Sequence, residues 1–194
     1  MLFRLNEMIG IILCVFLIFV NIAINMLYSW HYDLRVGLMS AFNWYLYQSI
    51  ISKPWNKLAN IGFAMLLVNI YFKILKYRKI SDPVKKAQKY PKIHYLHTRH
   101  LFNGYGTVGA GLLILAVNLF YPTHWNATGD PGTLLHNALY YGISRASWNL
   151  AIFLIFLAIF TQRFSMGKAF LSGNNMRILA KAMPIMCVVQ ILVI

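Results

Sequence analysis

Few side chains in this sequence could do chemistry, and their spacing decides what that chemistry would be. His94, His97 and His100 recur every third residue beside Arg99. A metal site needs three or four ligands converging on one point. Histidines spaced by threes drift around a helix surface, and no Cys, Asp or Glu lies close enough to complete the set. They read as interfacial histidines of a basic segment, with no metal site. The four acidic residues, Glu7, Asp33, Asp82 and Asp130, stand singly, so no carboxylate pair is ready for acid/base work. A Ser-His-acid arrangement is equally missing. Cys14 and Cys187 lie inside the first and last apolar blocks, which argues against a structural disulfide.

Arg145 is the sharpest feature. It follows Tyr140-Tyr141-Gly142-Ile143-Ser144 and precedes a charge-free run from Ala146 to Phe160. If a helix is entered near Leu139, Arg145 lies at least one turn inside a membrane, where a guanidinium costs about 2.5 to 3.5 kcal/mol at the centre. Such a cost marks a cavity or a partner. The alternative is a span that begins just after Arg145, whose side chain then snorkels to the interface. A second cluster, Lys53-Pro54-Trp55-Asn56-Lys57, combines a helix-starting proline with an interfacial tryptophan between two lysines, which is what a membrane anchor needs.

The elements that must position these groups are apolar blocks. Of 194 residues, 59% are hydrophobic and 11% charged, and the apolar ones are gathered rather than spread in stripes. A run that is apolar around its whole circumference for about 20 residues satisfies its own backbone and matches the hydrocarbon core. Such runs fall near 8–28, 57–75, 101–121 and 146–162, and a fifth begins near 178. The expected fold is all-α, a polytopic transmembrane bundle of about five spans. The first run is too long for a signal-peptide core and no small-residue cleavage site follows it, so it reads as a retained span. The segment 34–51, carrying Arg35, Ser40, Asn43, Gln48 and Ser49, reads as an interfacial helix. As a further span it would move the N-terminus to the other side.

Charge placement predicts topology. Between Lys73 and Arg99 there are nine basic residues and one acid, Asp82, so the segment 76–99 reads as a cytoplasmic loop, the one linker-like stretch of a single membrane domain over 1–194. Arg4, Arg163, Lys168, Arg177 and Lys181 fall on the same side, leaving Arg35, Lys53, Lys57 and Arg145 opposite. The net charge of +14 is thus accounted for by orientation in a lipid bilayer, and no nucleic-acid-binding motif accompanies it. Asn126-Ala127-Thr128 is a glycosylation sequon in the loop assigned outside. After Lys181 only 13 residues remain, about 20 Å of helix, with Pro184 near their start. The chain therefore reads as the C-terminal part of a longer product.

The order of these features resembles the C-terminal half of the nose-resistant-to-fluoxetine-like group of the acyltransferase 3 family, over about residues 45–190. Tyr47 to Phe72, with Lys53-Pro54-Trp55, Lys57 and Gly62, looks like that group's entrance to a glycine-containing span, Lys57 replacing an arginine. Tyr140 to Trp148 is similar to its Tyr, Ser-Arg, Trp pattern. Gly167 to Leu179, with Leu171-Ser172, is similar to the loop before its last helices. The resemblance implies a membrane enzyme moving an acyl group from a thioester donor of acyl-CoA type to a hydroxyl acceptor. It implies a cavity lined by Arg145 and Trp148, with Tyr140 and Trp55 as further substrate-binding candidates. No bound cofactor is expected. In that family the catalytic histidine and its arginine lie in early helices, which would precede Met1, and the closing helix here has Ala182-Met183-Pro184 where the family has a different pattern. No catalytic residue is assigned, and the 194-residue chain alone is expected to be inactive. The competing expectation is a non-catalytic subunit or degenerate relative in a larger assembly, packed through Gly104, Gly106, Gly109 and Gly111. A transporter-like role lacks a charged relay to support it.

Overall fold

A computed structural model describes residues 7–34, 53–98, 104–128, 132–161 and 164–173. The described elements are helical throughout. Four long helices, α1 (Glu7–His31), α2 (Leu58–Arg78), α5 (Gly104–Thr128) and α6 (Leu134–Phe160), alternate in direction and form the bundle. Three short ones lie between or after them: α3 (Pro83–Lys89), α4 (Pro91–Thr98) and α7 (Ser165–Ser172). A 3-10 turn, Pro54–Lys57, leads into α2. All four long helices are long and apolar enough to cross a membrane, α5 through its portion Gly104–Pro122.

The packing is inverted relative to a water-soluble bundle. In α1 the buried positions are Gly10, Cys14, Asn21, Asn25 and Ser29, one small or polar face at helical spacing. Several of its large apolar side chains point away from the protein, Ile9, Phe16 and Phe19 being exposed at 56%, 60% and 65%. In water that arrangement forfeits the hydrophobic driving force; in lipid it satisfies both solvents, since small residues let helices approach and polar ones bond across the seam. Asn21 Nδ2 donates to the Trp55 carbonyl at 2.9 Å, and Asn25 Nδ2 donates to the Asn21 carbonyl at 2.8 Å. The chain is accordingly a multi-pass membrane protein.

Three glycines set the helix contacts. A Cβ on Gly62 would lie 2.8 Å from the Cys14 carbonyl oxygen, so α2 and α1 touch at backbone distance. Gly142 of α6 is pressed against Met26 of α1, and a Cβ on Gly111 would come 2.9 Å from the Ala151 oxygen of α6. α6 therefore sits centrally, with α1 and α2 on one side and α5 on the other. Gly106 and Gly109 face open space.

At one end of the bundle Glu7 pairs with Lys73, and Arg78 donates to the Phe160 carbonyl, so the start of α1 and the ends of α2 and α6 meet there. Against this end fold α3 and α4. Asp82 caps α3 by accepting from the Val84 N–H at 2.9 Å, and Pro83 occupies the first turn. Ile74, Tyr77 and Ile93 are buried together, and the Tyr77 hydroxyl lies 3.0 Å from His94 Nδ1. The stretch expected to be linker-like thus contains two helices, the second of them, α4, docked on α2. The expected fifth span and nearly all of the expected interfacial helix lie outside the described residues.

The largest boundary difference is in α6. The sequence places a span at 146–162, whereas the helix begins at Leu134, twelve residues earlier. Thr133 caps it, its hydroxyl accepting from the His136 N–H at 3.3 Å. The polar stretch before Ala146 lowers the local hydropathy, yet its polar groups face neighbouring helices. α5 likewise runs to Thr128, so the Asn126 sequon is in its last turn rather than in a loop.

Candidate functional site

The site begins with a proline. Pro122 lies inside α5 and has no N–H to give the carbonyl of Asn118 one turn earlier. In lipid an unbonded carbonyl is costly, and a neighbouring helix must supply the donor. Tyr140 of α6 does so, its hydroxyl donating to the Asn118 oxygen at 3.2 Å. Around this bond the facing polar groups are used in order. The Ser147 hydroxyl is 2.9 Å from Asn118 Oδ1, and Asn118 Nδ2 donates to the Ile114 carbonyl at 2.8 Å. One turn further out the Tyr121 hydroxyl is 2.6 Å from His136 Nε2, and the Tyr121 and Tyr140 rings stack at 5.7 Å.

These residues form one wall and the mouth of a groove between α5 and α6, with a volume of about 490 Å³. Leu113, Val117, Leu139 and Ile143 complete it on the side exposed from the bundle. The volume falls within the roughly 300–1,000 Å³ of small-molecule sites, and an apolar lining with a few convergent polar groups is their usual chemistry. Leu113 and Tyr121 are eight residues apart on α5, about 12 Å along the axis. The lining is mostly apolar, with Asn118, Ser144 and Ser147 midway along it and Tyr121, His136 and Tyr140 toward the loop joining α5 to α6.

Of the residues singled out from sequence, only Tyr140 lines this groove. Arg145 lies eleven residues inside α6, so the helix is already formed when the chain reaches it. At 100° per residue it shares a side with Gly142 and Asn149, the positions that meet α1 and α2, well away from Tyr140. Asn149 Nδ2 donates to Asn60 Oδ1 of α2 at 2.8 Å, close to that level. Arg145 takes part in neither ion pair seen among the described residues. Trp148 is exposed on an edge of α6. Trp55 sits in the 3-10 turn beneath Lys53, whose Nζ is 5.8 Å from its ring centre; its Nε1 is buried with no hydrogen-bond partner among the described residues. Of the four candidates, then, Tyr140 lines the α5–α6 groove and Arg145, Trp148 and Trp55 lie outside it.

Sequence reasoning missed Asn118, Tyr121, His136 and Ser147. A signal existed: Asn118, Tyr121 and Pro122 interrupt an apolar run at i, i+3 and i+4, marking one polar stripe on an otherwise lipid-facing helix. Of the three spaced histidines, His94 is held by Tyr77. Among the described residues no group of three His, Cys, Asp or Glu side chains could hold a metal. No family model, no curated protein and no solved structure matches the chain.

Proposed function

We propose that this protein binds a lipid-like acyl chain in the groove between α5 and α6, and that it does so as part of an acyl-transfer apparatus using a thioester donor and a hydroxyl acceptor. The observation that carries the binding is the groove's lining: apolar Leu113, Ile114, Val117, Leu139 and Ile143, with a few convergent hydroxyl, amide and imidazole groups from Asn118, Tyr121, His136, Tyr140, Ser144 and Ser147. A hydrocarbon tail fits the apolar side chains, and a carbonyl or hydroxyl head fits the polar groups. The Tyr140–Trp148 pattern supports the transfer role by resemblance to the acyltransferase 3 family. Tyr140 holds the groove open-walled by bonding the carbonyl that Pro122 leaves free. In the topology we assign, the end bearing Glu7, α3 and α4 faces the cytoplasm, because the basic residues collect there. The groove's mouth then faces the opposite leaflet.

The second reading, a non-catalytic subunit of a larger membrane assembly, is favoured by the open face of α5, where Gly106 and Gly109 have nothing beside them. Photolabelling separates the two. The purified chain, incubated with a fatty acyl probe carrying a diazirine on its tail, is expected to be labelled within 113–121 and 136–147. Val117→Trp with Ile143→Trp should cut that labelling at least tenfold at an unchanged unfolding midpoint. Labelling spread evenly over the lipid-facing surfaces would contradict the site. In native membranes the same double variant should lower acyl transfer under the first reading and leave it unchanged under the second.

A further inference from the structure

The basic end of the bundle carries a second feature that acyl binding does not use, and its lysines can do more than orient the spans. Ile80, just before α3, and Lys85, Gln88 and Lys89 of α3 line a concavity of about 390 Å³. Ile80 follows the last residue of α2 by two positions, so the concavity sits at the level where a membrane's headgroups begin. Lys85 and Lys89 are one helical turn apart and project from the same face, with the Gln88 amide between them. Two ammonium groups and an amide above one apolar side chain match a phosphate ester with the start of its glycerol and acyl chains.

The surroundings reinforce that charge. Lys76, Lys79, Lys89 and Lys92 take part in neither ion pair found among the described residues. Asp82 opposes them, lying 3.9 Å from Lys85, but its other oxygen is engaged in capping α3. Lys86 leans over the Tyr77 ring at 5.4 Å from its centre, the contact by which α3 touches α2. The cationic face is therefore carried on a short helix that follows directly from the end of α2. Anionic leaflets attract such juxtamembrane cations.

We propose that α3 forms a docking surface for phospholipid headgroups of net negative charge in the adjoining leaflet, with Lys85, Gln88 and Lys89 holding the headgroup's anionic oxygens, carboxylate as well as phosphate. The full chain, in neutral detergent micelles at about 0.1 M salt, is titrated with tail-labelled phosphatidylserine or phosphatidylcholine. Phosphatidylserine should bind more tightly, and the gap should narrow when salt is raised fivefold. Lys85→Gln with Lys89→Gln should weaken phosphatidylserine binding roughly 25-fold, about 5-fold per lysine, while Lys85→Arg with Lys89→Arg retains it. If the double glutamine variant failed to fold, Lys89→Gln alone, exposed and outside the ion pairs, should show the about 5-fold loss. Equal binding of the two lipids, or phosphatidylserine binding indifferent to Lys89→Gln, would overturn the proposal. So would displacement by soluble glycerophosphoserine as effective as by the lipid, since that describes a soluble-anion site.

Discussion

At the residue scale the most consequential pairing is Tyr140 with the Asn118 carbonyl. A proline deletes a donor in α5 and a tyrosine on another helix replaces it, so two residues far apart in sequence answer one local deficit. Tyr140→Phe should lower stability in detergent by about 1 kcal/mol, and up to roughly 3, because it strands an acceptor that has no water to turn to. Pro122→Ala restores the missing N–H. In that background Tyr140→Phe should cost markedly less, and thermal unfolding of the four proteins measures the coupling. Equal costs in both backgrounds would mean that the hydroxyl does not serve the proline's orphan. Little of this was legible beforehand. Tyr140 was singled out by its place beside Arg145, yet the two face different helices, and no pattern within one helix says which neighbour a side chain will meet. Pro122 and Asn118 were visible as polar interruptions, but their meaning depends on the partner helix.

Helices in this protein meet through glycine. Gly62, Gly111 and Gly142 each allow a backbone approach that a methyl group would obstruct, against Cys14, Ala151 and Met26 respectively. Gly111→Leu or Gly142→Leu should therefore overpack the seam and cost about 1–3 kcal/mol, read as a lower unfolding midpoint. Gly106→Leu, with open space beside it, should do no such harm and gain about 1 kcal/mol or less from helix propensity. The reverse ranking would mean that α5 packs on α6 through a different face. The sequence resolved the four long apolar blocks because continuous hydrophobicity is a local property. It lost the first twelve residues of α6 because His136, Asn137 and Tyr140 depress hydropathy, while His136 and Tyr140 spend their polarity on α5. It read 76–99 as a loop because α3 and α4 are short and basic, and the docking of α4 rests on the long-range burial of Tyr77 and Ile93.

For the whole molecule, the decisive fact is where the large apolar side chains point. Phe16 and Phe19 look outward while Asn21, Asn25 and Ser29 are buried, an arrangement stable only if the medium around the bundle is hydrocarbon. That inversion was readable in α1, where asparagines and a serine share one stripe of an otherwise apolar run, though the composition alone already required lipid. The most direct test is alkaline carbonate extraction of membranes from cells producing the chain. The protein should remain entirely in the membrane pellet and leave it only when detergent is added. Release into the supernatant as a dispersed monomer without detergent would contradict the bundle's orientation toward lipid, and with it the groove and the headgroup surface.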